Sequence, residues 1–215
     1  MPPRLQDAFL TRGREVAFSR KQVIMTEGAE DTDVYLLITE RLQFSLLSPQ
    51  GREVILREMG PGEMFGELSA IDGLPRSTNV MALEDSRLAQ MNAAAFAAML
   101  GEVPDAGLWV ARQLVQRIRN LTDRAFELAT LPVASRVQAE LLRLAREAAA
   151  PGADAIEIRP MPTHADLAAR VGTSREAVSR ELGLLAQQGL LAQSGRTLRI
   201  GSITALRAVY ERMLR

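Results

Sequence analysis

A chain of 215 residues is long enough for one large domain or two smaller ones, each with its own core. It is 47% apolar and 24% charged, the balance of an ordinary globular protein, and no apolar run is long enough to make a membrane-spanning helix. The lack of cysteine excludes disulfides, thiol catalysis, thiolate-held iron–sulfur clusters and Cys-based zinc sites, and the net charge of zero hides a division: residues 1–133 carry 14 basic and 18 acidic side chains, residues 134–215 carry 12 and 8. An excess of positive charge in the C-terminal part points to a polyanionic partner.

The opening "MPPRLQDAFL" lacks a basic-then-apolar signal pattern, so a cytoplasmic protein is expected. The following stretch is punctuated like a β domain. Short apolar runs, "REVAF", "QVIM", "VYLLI", "LQFSLL", "REVILREM" and "RLAQM", alternate with the turn signals "EGAEDTD", "SPQG", "GPGE" and "DGLP". Within this region "FGELSAIDGLPRSTNV" places a carboxylate beside a glycine and an arginine beside two hydroxyls. That pairing suits a small molecule that carries both a negative charge and hydroxyl groups, and consecutive amides around Gly66, Glu67 and Leu68 at a short helix start can cradle a phosphate.

From Ala94 the texture turns helical. Ala111, Leu114, Ile118, Leu121, Ala125 and Leu128 recur at spacings of three and four, a narrow seam that suits pairing of two copies of one long helix over 107–131. Pro132 ends that helix, which places the hinge at Ala129 to Val133. A further helix, "VASRVQAELLRLAREAAA", stops at "PGAD".

Residues 163–191 read as two helices around a turn at Gly172. Thr163 with Asp166, and Thr173 with Glu176, have the spacing of capping pairs, while Leu167, Val171, Val178 and Leu182 pack the two helices together. The second helix carries Ser174, Arg175, Glu176, Ser179 and Arg180; at ~100° per residue, Arg175, Glu176 and Arg180 fall within an arc of ~140°. Arginine matches guanine O6 and N7 in the major groove, and glutamate accepts from the cytosine amino group. Then "LLAQSGRTLRI" makes a hairpin wing turning at Ser194–Gly195 and carrying Arg196, and "SITALRAVYERMLR" makes a closing helix. His164, the one histidine, reads as a first-turn surface residue.

In this order the segments resemble the CRP/FNR family of bacterial transcription regulators over nearly the whole chain. "PGEMFGELSAIDGLPRSTNV" is similar to that family's phosphate-binding cassette and "VGTSREAVSRELGLL" to its recognition segment. The resemblance implies an α+β chain: an N-terminal cyclic-nucleotide-binding β roll of jelly-roll type over 1–106, a dimerisation helix over 107–131, and a C-terminal winged helix-turn-helix over 132–215. It further implies that Glu67 bonds a ribose 2′-hydroxyl, that Arg76 pairs with a cyclic phosphate helped by Ser77, and that Thr122 supplies one of the two hydroxyls offered to adenine, Leu121 standing where the other is usual. Glu40 occupies a turn position where the family often has glycine. The effector implied is cAMP or cGMP, without metal, haem or iron–sulfur cluster. The partners implied are double-stranded DNA with TGTGA-like palindromes, a second copy of the chain and RNA polymerase, with no enzymatic activity. A regulator that is independent of nucleotide, or that senses another small effector, is the alternative.

Overall fold

The computed structural model describes residues 1–213, and the chain divides into two compact units, the first through Ile118 and the second from Arg119. The first unit opens with α1 (Pro3–Arg12), which the sequence reading left unassigned. Proline at its start suits a position whose N–H has no helical partner, and Leu5 and Phe9, one turn apart, are both buried.

Eight strands follow: β1 (Arg14–Phe18), β2 (Val23–Met25), β3 (Val34–Thr39), β4 (Leu42–Leu47), β5 (Glu53–Met59), β6 (Met64–Phe65), β7 (Asn79–Ala82) and β8 (Ser86–Met91). They form two four-stranded antiparallel sheets, β1-β8-β3-β6 and β2-β7-β4-β5. The six apolar runs became strands; β6 lies inside the cassette and β7 begins at its end, each too short to show a periodicity. The run "VYLLI" lacks polar alternation because both of its faces are covered. Tyr35 and Leu37 pack with Leu42, Phe44, Phe65, Val80 and Leu88 between the sheets. Val34 and Leu36 face the other way, against Leu5, Phe9, Phe96 and Met99 of α1 and α3 (Ala93–Glu102).

The long helix α4 (Ala106–Thr130) lies within one residue of the expected bounds, and Pro132 caps the start of α5 (Val133–Ala148). The compact units part within α4, whereas the expected division at 107 and 132 sets this helix apart as a piece of its own. Ala106 and Val110 are buried against the first unit, and Leu114 is half-buried with them. Ala111, Val115, Ile118, Leu121, Ala125, Phe126 and Leu128 are exposed along α4, with Phe126 at 64%. Two positions differ in burial from what the expected seam implies. Leu114 packs half-buried against the core of its own domain, and Val115, which that seam leaves out, is exposed on the same helix.

The second unit contains α5, β9 (Ile156–Ile158), α6 (His164–Val171), α7 (Arg175–Gln187), β10 (Leu191–Ser194), β11 (Thr197–Ile200) and α8 (Ile203–Arg212). Its sheet has the order β10-β11-β9, and its core joins Val137, Leu141, Leu167, Val171, Val178, Leu182, Ile200 and Leu206. The last two residues of the expected closing helix, 214 and 215, lie outside the described residues. Together the elements make the expected α+β chain with a β roll, a long helix and a winged helix-turn-helix.

Candidate ligand cassette and nucleic-acid interface

Between β6 and β7 the chain makes a six-residue helix, α2 (Glu67–Asp72), with Gly66 at its N-cap in the left-handed region at φ 84°. Space requires glycine there as firmly as the dihedral does. A Cβ on Gly66 would stand 2.6 Å from the Asp33 carbonyl oxygen and 3.0 Å from Nη1 of Arg76. Phe65, just before it, stacks on Tyr35 with ring centroids 5.1 Å apart and meets Phe44 edge-on, so the entry to α2 is anchored in the inter-sheet core.

Glu67 and Arg76 are each 2% exposed. One Glu67 oxygen, Oε1, accepts from Nη1 of Arg117, whose Nη2 donates to the Met64 carbonyl at 2.8 Å. The other, Oε2, is buried and has no hydrogen-bond partner among the described residues. A buried carboxylate oxygen in that condition is costly unless a donor reaches it. The Arg76 guanidinium donates from Nη1 to the Gly66 carbonyl at 2.9 Å and from Nη2 to the Asp33 carbonyl at 2.7 Å. Its Nε and Nη2 both donate to Oδ1 of Asp31, the Nε bond at 3.0 Å. Burial pushes the Tyr35 hydroxyl above the usual tyrosine range, and the nearby Asp33 and Asp31 add to the effect.

The structure thus brings Gly66 together with the buried Glu67 and Arg76, with Leu68 and Ser77 exposed beside them. Thr122 is exposed on α4, in the second unit. The sequence reading missed Arg117 and Asp31. Arg117 precedes the seam position Ile118 and reads as one more solvated helix arginine; Asp31 lies in a stretch whose acidic and small residues read only as a turn.

In the second unit, α6 carries the expected reciprocal cap. Thr163 Oγ1 accepts from Asp166 N at 3.1 Å, and Asp166 Oδ2 accepts from Thr163 N at 2.9 Å. The expected Thr173–Glu176 cap is corrected. Gly172, at φ 67°, ends α6 in the left-handed region, and the Thr173 amide donates to Ala168 O at 3.0 Å, closing that helix. The N-cap of α7 therefore moves one residue on, to Ser174, whose hydroxyl accepts from Ala177 N at 3.3 Å. The Glu176 carboxyl is held below its usual range by its own backbone amide and then by Ser174.

Arg175, Glu176 and Arg180 are all exposed on α7. Ser179 is half-buried, and its hydroxyl pairs with Nδ1 of His164 at 2.7 Å, tying α6 to α7. The wing differs slightly from expectation. Ser194 and Thr197 are register partners, so the hairpin turns at Gly195–Arg196 and puts Arg196, exposed, at its tip. Within the same unit the buried Glu140 of α5 gathers three arginines: Arg143 at 2.9 Å, Arg170 of α6 at 3.3 Å and Arg124 of α4 at 3.8 Å. Glu127 of α4 bonds Arg143 at 2.9 Å, which completes a charged link among α4, α5 and α6.

Among the described residues no helix is long and apolar enough to cross a membrane, and no group of His, Cys, Asp and Glu could hold a metal ion.

Comparison with known proteins supports both halves of this description. Residues 15–102 match the family model of the cyclic nucleotide-binding domain, and residues 135–209 match that of the Crp-like helix-turn-helix domain. The chain is 29% identical over 185 residues to a CRP-like cAMP-activated global transcriptional regulator of Mycobacterium tuberculosis, covering 86% of this chain and 83% of that protein. It is also 29% identical over 210 residues to the cyclic AMP receptor protein of Thermus thermophilus, covering 97% and 94%. Among solved structures, a CRP-family transcriptional regulator from Thermus thermophilus superposes with a TM-score of 0.74 at 26% identity, covering 93% of this chain and 98% of that one.

Proposed function

Because the chain belongs to the CRP/FNR family of DNA-binding transcription regulators, with a cyclic nucleotide-binding domain and a Crp-like helix-turn-helix, we propose that it acts as a homodimer gated by a cyclic nucleotide, with cAMP favoured and cGMP the second choice. The observation that carries this reading is the buried Glu67 oxygen with no partner among the described residues, one residue from Gly66 and in the same cluster as the buried cation of Arg76. A ribose 2′-hydroxyl supplies the donor that this oxygen lacks. The cyclic phosphate takes Arg76 and the amides at the start of α2, and Ser77 adds a hydroxyl at the rim. Thr122 on α4 offers the base a single hydroxyl, which leaves the choice between adenine and guanine to the ligand titration.

Coupling to DNA follows from position along the chain. Arg117 holds Glu67 and belongs to α4, so a change at the nucleotide's sugar is transmitted to the helix that continues into the second unit. The exposed apolar stripe of α4 is the surface on which two copies pair, and pairing sets the separation of two α7 helices to the one-turn spacing of DNA half-sites. Arg175, Glu176 and Arg180 read TGTGA-like half-sites, Ser174 positions the helix start, Ser179 holds the helix to α6 beside the DNA, and Arg196 on the wing contacts phosphate. The bound dimer then meets RNA polymerase.

The test is calorimetric titration of the full chain with cAMP and then cGMP, followed by DNA binding with and without the nucleotide that binds. Saturable nucleotide binding that strengthens DNA binding is expected. A chain that binds neither nucleotide, yet binds its palindrome tightly, overturns the gating and leaves a nucleotide-independent regulator.

A further inference from the structure

Arginine recognises a cyclic phosphate best through an edge of its planar guanidinium, where two N–H groups point the same way. In this chain one such edge of Arg76, formed by Nε and Nη2, already holds a carboxylate oxygen, Oδ1 of Asp31. The flat ends of the group are occupied as well, by the carbonyls of Gly66 and Asp33. Asp31 and Arg76 differ sharply in burial. The arginine side chain is 1% exposed and fixed by backbone on two sides, whereas the Asp31 side chain is 50% exposed. The backbone reinforces the pairing, since the amide of Arg76 donates to Ala29 O and that of Gly28 donates to Arg76 O, both at 2.8 Å, holding the loop that carries Asp31 alongside the arginine.

We propose that Asp31 is a built-in competitor for the effector's phosphate: its carboxylate holds the Nε edge of Arg76 and has to swing out before a cyclic phosphate can take that edge. This rests on the cyclic-nucleotide reading of the cassette and deepens it. A fixed carboxylate on a neighbouring loop acts at high effective concentration, and a free ligand must outcompete it. The half-exposed side chain can leave into water, where its charge is solvated, so the competition is reversible rather than a permanent block. Glu67 is unaffected by this exchange, because its open oxygen faces a donor from the sugar and not from Arg76. Asp31 thus sets the concentration of nucleotide at which the site responds, while Glu67 and Arg76 set which chemistry is accepted.

The experiment is titration of the full-length wild type and of the Asp31→Ala, Asp31→Asn and Asp31→Glu variants with cAMP and with cGMP, together with thermal unfolding of each protein without nucleotide. Asp31→Ala should bind the preferred nucleotide roughly tenfold or more tighter than wild type, even if its unfolding temperature without nucleotide falls, a pattern that a purely structural role for Asp31 does not produce. Asp31→Asn, which keeps the shape and loses the charge, should also bind tighter than wild type. Asp31→Glu should stay close to wild type. Equal or weaker binding by both neutral variants, with wild type still binding, overturns the competitor and leaves the nucleotide reading intact. No binding of either nucleotide by any of the four proteins overturns both.

Discussion

Single residues in this protein do work that their neighbours make possible. Arg76 is the clearest case, since its position behind Gly66 depends on a glycine with no room for a Cβ. Arg76→Ala should weaken nucleotide binding by roughly 30-fold to several hundred-fold, about 2–4 kcal/mol, the worth of a charge-assisted bond from a buried arginine; equal affinity in titration contradicts the assignment. Glu67→Ala should cost less, because a neutral hydroxyl offers one hydrogen bond. Glu40 is informative for a different reason. Its φ of 71° lies in the left-handed region, which explains why glycine suits the β3–β4 turn. Glu40→Gly should relieve that strain and raise stability by about 0.5–1 kcal/mol, after allowance for the greater freedom glycine gives the unfolded chain. Denaturant unfolding checks it, and a destabilised variant would show that Glu40 contributes more through its side chain than it loses in its backbone.

At the scale of elements, α4 is read differently on its two sides. Ile118 is exposed at 62% and Leu114 is half-buried against the first unit's core. Ile118→Glu should therefore convert the dimer to monomer with the fold kept, because it places like charges in a buried interface. Leu114→Glu should instead destabilise the N-terminal domain. Sedimentation together with circular dichroism separates the two effects, and an intact dimer in Ile118→Glu rejects the stripe as the pairing surface. The charged link at Glu140 acts between elements too. Glu140→Gln removes the buried negative charge facing Arg143 and Arg170, and should destabilise the C-terminal transition by roughly 3–5 kcal/mol. An unchanged unfolding midpoint would mean that the three arginines are satisfied without it.

For the molecule as a whole, a two-fold dimer should select a palindrome whose half-site centres lie about one helical turn apart. With exposed Arg175, Glu176 and Arg180 on one face, two arginines seek guanines and the glutamate seeks a cytosine amino group. Arg180→Ala should weaken specific binding by roughly 1–3 kcal/mol and relax preference at one guanine. Arg196→Ala should weaken all sequences together and shallow the salt dependence, as loss of a phosphate contact does. Selection of sites from random DNA in the presence of nucleotide tests both, and an asymmetric consensus would refute the symmetric arrangement.

Much of this was legible in the sequence, and the reason is local physics. Six strands, the long helix and its proline stop, the Thr163–Asp166 cap and the Gly172 turn depend on a few neighbouring residues, so periodicity and turn chemistry reveal them. The order of cassette, helix and recognition segment carried the family and pointed to Glu67, Arg76 and Arg180. What only the tertiary structure decided are pairings between residues distant along the chain. Asp31 reaches Arg76 across 45 positions, and Arg117 reaches Glu67 across 50. The same holds for the covering of β3 on both faces and the packing of Leu114 against a core. The N-cap of α7 at Ser174 was decided by a competitor, the closure of α6 through the Thr173 amide. A side chain's partner depends on which segments folding brings together, and spacing along the chain does not contain that information.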